Sequence, residues 1–108
     1  MRPTGMTVAL ALAAFATQAA AQGNPVAGQA LVEKSCSPCH AVGETGSSPV
    51  ADASPFRTFS SKWPLQNLEE ALAEGILVGH EGIKMPEFVF EPEDITDIIA
   101  YLGSLPGN

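Results

Sequence analysis

Apolar residues recur at three- and four-residue intervals in three stretches of the chain, a spacing that places them on one face of an α-helix. The clearest stretch covers residues 92–105, where Pro92 suits the first helical position and Glu93 and Asp94 suit the positive end of the helix dipole. Its apolar stripe consists of Ile95, Ile98, Ile99, Leu102 and Leu105. We therefore predict a C-terminal helix that packs against another helix.

A second stretch, residues 64–75, has leucines on one face, glutamates on the other, and Gly75 as a suitable end. Just before it, an aromatic segment predicts a short helix over residues 55–63, with Phe56, Phe59 and Trp63 as its large side chains. We find no alternation of strand and helix patterns. The sequence therefore predicts an all-α fold.

The first predicted helix begins at Asn24, a good N-cap, and runs toward residue 36. Gly28 lies on its apolar stripe, although glycine inside a helix costs about 1 kcal/mol relative to alanine. Two readings remain open: a tolerated weak point, or a close backbone approach by another helix. The C-terminal helix is the natural partner for such an approach.

The apolar run near the N-terminus has a different character. Arg2 precedes a run rich in Ala and Leu over residues 6–15, and three alanines at residues 19–21 provide small residues for cleavage before Gln22. The run is shorter than the roughly 20 apolar residues of a membrane span. We predict a secretory signal peptide at residues 1–21 that is removed, one domain at residues 22–108, and a periplasmic location without a membrane span.

The formal net charge of the chain is −7, and loss of Arg2 with the leader makes the domain more negative still. This balance argues against nucleic acids and anionic membranes as partners, because both attract basic patches. It favours a protein partner with a basic docking surface. The alternative is that acidity only keeps a small exported domain soluble.

Residues 36–40 read C-S-P-C-H, the C-x-x-C-H pattern of a covalent c-type haem site. Cys36 and Cys39 can each form a thioether to one haem vinyl group, and His40 can then offer a ring nitrogen to the iron. Three other uses of the cysteines stay open: a thioredoxin-like dithiol, part of a zinc site, and a simple disulfide.

Met85 is the only methionine in residues 22–108, and it lies before Pro86 in a glycine-rich loop. A thioether is a soft ligand that haem iron accepts opposite an imidazole, so we predict Met85 as the second axial ligand. His80, in the same loop, is the rival for that position. Without a haem, Met85 would be read as a filler of the core.

Two further contacts are predicted around such a haem. The N–H of Trp63 suits a haem propionate, and Arg57 is a weaker candidate for the same contact. A ligating imidazole usually donates its other N–H to a carbonyl, and we expect that carbonyl near Pro49, in the loop after His40.

Together these features resemble those of a class I, mono-haem cytochrome c of bacteria. The matching residues are C-S-P-C-H at 36–40, Gly28 and Val32 upstream, K-M-P-E-F at 84–88 and I-I-A-Y-L at 98–102. The resemblance implies about four short helices wrapped around one covalently bound haem, with the first and last helices crossing. It also implies one haem c, with its iron, ligated by His40 and Met85.

The function implied by the resemblance is electron transfer rather than catalysis. We predict a monomeric periplasmic carrier in a respiratory chain, with a dehydrogenase or quinol-oxidising complex as donor and a terminal acceptor such as an oxidase. The alternatives are a dedicated subunit of a larger oxidoreductase, a haem-based gas sensor, and a dithiol redox enzyme built on Cys36 and Cys39.

Overall fold

The computed structural model describes residues 2–12, 22–75, 85–86 and 88–108. Its helices are α1 (Pro25–Ser35), α2 (Phe59–Lys62), α3 (Leu65–Glu74) and α4 (Pro92–Ser104), with a 3₁₀ turn at Phe56–Thr58 before α2. No strand occurs in these described ranges. The prediction of an all-α fold with about four short helices is confirmed.

Helix α1 begins where the sequence predicts, because the Asn24 side chain accepts hydrogen bonds from the backbone N–H groups of Val26, at 3.0 Å, and Ala27, at 3.3 Å. The backbone N–H of Asn24 in turn donates to the Asp97 carboxylate of α4 at 2.8 Å. The start of the first helix is thereby tied to the last helix.

Helices α1 and α4 cross at Gly28, where the predicted close approach is confirmed. A Cβ atom added to Gly28 would collide with the backbone carbonyl of Asp97. Only glycine leaves enough room for the two backbones to meet at this point. The crossing fixes the direction of α1, which leads directly into Cys36.

Apolar side chains from all helices and the 3₁₀ turn form one core. Helix α3 contributes Leu72 and packs on α4, and it ends at Gly75, whose φ of 82° lies in the left-handed region. The buried members are Val32, Phe56, Phe59, Leu72, Ile95, Ile98, Tyr101, Leu102 and Leu105. This core forms one wall of the cleft described below.

The predicted leader can be followed only in part, because residues 1 and 13–21, including the expected cleavage site, lie outside the described residues. Within the described parts of the chain, no helix combines the length and apolar character needed to cross a membrane.

Asn108 links the end of the chain to its middle. Its amide nitrogen donates to the carbonyls of Phe56, at 2.8 Å, and Leu102, at 2.9 Å. Its side-chain oxygen accepts from the backbone N–H of Ser60 at 3.0 Å, near the start of α2. Since Thr58, the N-cap of α2, makes no side-chain capping bond, Asn108 supplies that helix with a cap from a distant part of the chain.

We therefore expect Asn108→Ala to destabilise the fold by about 1–3 kcal/mol, since each lost hydrogen bond contributes about 1 kcal/mol. Denaturant unfolding of the haem-containing protein measures the change. Gln29→Ala is the control, because it removes one exposed bond to Glu33 within α1. Equal stabilities of the two variants would contradict the capping role.

Candidate functional site

An apolar cleft of about 270 Å³ opens between α1, α3, α4 and the segment around the 3₁₀ turn. Aliphatic and aromatic side chains make up most of its wall, chiefly Val32, Phe56, Phe59, Leu68, Leu72, Phe90, Ile98 and Leu102. Three side chains with a sulfur atom or an imidazole also line it: Cys36, His40 and Met85. The cleft therefore combines an apolar wall with sulfur and imidazole donors.

The C-x-x-C-H residues leave α1 through a tight turn. Helix α1 ends as the N–H of Cys36 donates to the Val32 carbonyl at 2.8 Å, and the N–H of His40 then donates to the Cys36 carbonyl at 2.9 Å. This turn brings Cys36 and His40 to the cleft. Cys39 is half-buried in the same turn but is not part of the cleft wall.

His40 is a buried and oriented imidazole, only 7% exposed. Its Nδ1 lies 2.7 Å from the carbonyl oxygen of Ser54. Because a carbonyl can only accept, Nδ1 carries the proton and the lone pair of the neutral ring is on Nε2, the nitrogen that could bind a metal. The Phe56 and Phe59 rings, with centroids 5.0 and 6.0 Å away, restrict rotation of the imidazole.

The prediction that a carbonyl near Pro49 orients His40 is wrong, because the carbonyl of Ser54 does so. Pro49 is exposed, and the loop folds back through a bond from the Val50 N–H to the Cys39 carbonyl at 3.1 Å. A second bond, from the Phe56 N–H to the Ala41 carbonyl at 2.9 Å, then places Ser54 against His40. Ser54 precedes Pro55 just as Ser48 precedes Pro49, so the local sequence did not distinguish the two.

Met85 is half-buried and lines the same cleft as His40. Both predicted axial ligands thus lie on the wall of one cavity. The rival ligand, His80, lies outside the described residues, as do Lys84 and Glu87 beside Met85.

Trp63 also lines the cleft, but 45% of its surface is exposed, which places it at the opening. Its ring packs edge-on against Phe59 at 5.9 Å. Its contact with a propionate stays a prediction. Arg57 is not part of the cleft wall and donates instead to the Gly46 carbonyl at 2.8 Å, so it stabilises the loop after His40.

The surroundings of Cys36 disfavour dithiol catalysis. Burial, and secondarily the neighbouring Cys39, raise the pKa of the Cys36 thiol to about 11. Catalytic cysteines have lowered pKa values, because the thiolate is the nucleophile. Cys36 is therefore a neutral thiol at physiological pH unless it is covalently modified.

The donor set fits a covalently bound haem. The thiol of Cys36 on the apolar wall suits a thioether bond to a flat apolar macrocycle, and Cys39, outside the wall, follows in the same turn. An oriented imidazole and a thioether suit the two axial positions of iron. The apolar wall suits a porphyrin, which is itself largely apolar.

Comparison with known families agrees with this fit. A family model described as Cytochrome c matches residues 25–106, a range that covers α1 to α4, the C-x-x-C-H turn and Met85. No match was found among curated proteins or among solved structures. We conclude that the chain belongs to the cytochrome c family, whose cofactor is a covalently attached haem with iron.

Proposed function

We propose that this protein is a periplasmic one-electron carrier with one haem c, attached through Cys36 and Cys39 and ligated by His40 and Met85. It accepts electrons from a dehydrogenase or quinol-oxidising complex and passes them to a terminal acceptor such as an oxidase. The observation that carries the proposal is the presence of His40 and Met85 on the wall of one apolar cleft. Haem-based electron transfer is the activity that family membership supports.

The bound haem supplies a centre that gains and loses one electron. The protein's own residues set how readily this happens. His40 is held by the Ser54 carbonyl and two aromatic rings, so its orientation need not change between oxidation states. The apolar wall excludes water, and a Met/His ligand pair raises the reduction potential.

The same ligand pair argues for a carrier rather than an enzyme. If His40 and Met85 fill both axial positions, no position remains at which a substrate could coordinate. A partner would then exchange electrons with the haem without binding to its iron. Trp63 and Asn67, both exposed and both part of the cleft wall, mark the opening at which a partner would dock.

The proposed partner has a basic docking surface, and the proposed carrier is a monomer. The net charge of −7 supports the first point. So does α3, which presents Asn67 and Leu68 to the cleft and exposes the carboxylates Glu69, Glu70 and Glu74 to solvent. Opposite charges on a partner would speed its association at low salt.

A spectroscopic experiment on the purified protein tests the proposal. We expect haem to remain attached after denaturation, one electron to be taken up reversibly, and the reduced form not to bind CO. N-terminal sequencing should begin at Gln22 if residues 1–21 are removed. Haem lost on denaturation would contradict thioether attachment, and rapid CO binding would favour a gas-binding protein instead.

A further inference from the structure

Ser54 makes two polar contacts at the cleft. Its carbonyl oxygen accepts from Nδ1 of His40 at 2.7 Å. Its hydroxyl oxygen accepts from the ammonium group of Lys62 at 3.0 Å. The cation therefore contacts the residue that orients the predicted iron ligand, although it does not contact His40 itself.

Lys62 also contacts the ring of Trp63, the next residue. It is the last residue of α2, and its Nζ lies 5.8 Å from the centroid of the Trp63 ring, within the range of a cation–π interaction. Trp63 packs on Phe59, and Phe59 packs on His40 with centroids 6.0 Å apart. Two routes, one polar and one aromatic, thus connect Lys62 to the imidazole.

The charge of Lys62 is not neutralised by these partners. Both the Ser54 hydroxyl and the Trp63 ring are uncharged, although the chain carries twelve Asp and Glu residues. A positive charge near a redox centre favours the reduced form, because the reduced centre carries one positive charge fewer. Lys62 is exposed, so solvent weakens this effect without reversing its sign.

We propose that Lys62 is a positioning residue, which holds Ser54 against His40 and whose positive charge raises the reduction potential of the site. This inference rests on the proposed function, because it takes His40 as an iron ligand. It assigns a role to the charge of Lys62, a residue that is neither an iron ligand nor a thioether cysteine in the proposed function.

Four variants of the haem-containing protein separate charge from contact. Lys62→Arg keeps the charge, Lys62→Gln keeps a donor without the charge, and Lys62→Met removes both. Ser54→Ala keeps the orienting carbonyl and removes only the hydroxyl. Lys34→Gln, at the exposed end of α1, is the control for the same change in net charge.

Two measurements apply: the reduction potential, and the hydrogen-exchange rate of the His40 Nδ1–H by NMR. At the midpoint potential of the unmodified protein, Lys62→Gln should lower the ratio of reduced to oxidised protein about two- to fivefold, the size expected of one partly screened charge. Lys62→Arg, which keeps the charge, should leave this ratio unchanged. Exchange should be faster in Lys62→Met and Ser54→Ala, because both variants lose the contact between Lys62 and the residue at position 54.

Equal potential shifts in Lys62→Gln and Lys34→Gln would overturn the inference, because net charge alone would then explain them. Unchanged exchange rates in Lys62→Met and Ser54→Ala would overturn the positioning role. Failure of the proposed function is distinguishable, since it appears in the spectrum of the unmodified protein. A His/Met spectrum combined with unaltered variants contradicts only the role of Lys62.

Discussion

Replacement of Met85 by alanine is expected to abolish the far-red absorption band that a sulfur–iron bond gives the oxidised protein. The reduction potential should fall by on the order of 0.1–0.3 V, since axial ligands alone set haem potentials over a range of about 0.8 V. If Met85 holds the iron, the reduced variant should also bind CO, because the iron would then lack one of its two protein ligands. Absorption spectra and a redox titration measure all three changes.

Two further variants separate ligation from packing. Met85→Leu loses the thioether but conserves most of the side-chain volume, so it should lose the band and yet unfold at a higher denaturant concentration than Met85→Ala. His80→Ala should keep the band. If instead Met85→Leu keeps the band, or the unmodified protein lacks it, Met85 is not the ligand. His80 would then be the candidate to test by the same spectra.

The helices that pack on the core were predictable from sequence, because their side chains repeat with the helical period. Helices α3 and α4 lie where the leucine and isoleucine stripes place them. The aromatic segment before α3 is a 3₁₀ turn followed by the short α2. It ends at Trp63, whose backbone is extended as expected for a residue before proline.

The cleft's chemistry was predictable only where residue type and spacing carry it. Cys36, His40 and Met85 were identified from the motif and from the single methionine of residues 22–108, and all three line the cleft. Ser54 was not identified, because the loop over residues 41–55 has no periodicity. Long-range bonds shape that loop, such as the one from the Tyr101 hydroxyl to the Val42 carbonyl at 2.6 Å.

Polar contacts between distant segments were likewise not predictable from the sequence. Nothing in the pattern around Asn108 indicates that it would cap α2, and Lys62 reads as an ordinary surface lysine. Both contacts depend on how α2 lies against the rest of the chain. Such placement follows from packing of the whole core, which a local pattern does not encode.

The second large effect is a loss of stability, expected when the crossing of α1 and α4 is altered at Gly28. Gly28→Ala should destabilise the protein by about 1–3 kcal/mol, as expected for overpacking, although alanine is the better helix former by about 1 kcal/mol. The reason is that the new Cβ would collide with the Asp97 carbonyl, a backbone atom within α4 that cannot turn aside. Denaturant unfolding of the haem-containing protein measures the loss.

Gly103→Ala is the matched control, because it makes the same substitution inside α4, where the new Cβ would meet only the Leu65 side chain at 3.8 Å. That variant should gain up to about 1 kcal/mol from helix propensity. The two substitutions should therefore change stability in opposite directions. A gain in both would mean that α1 and α4 can separate at no cost. The direction of α1, and with it the position of Cys36 on the cleft, would then have to be fixed by contacts other than this crossing.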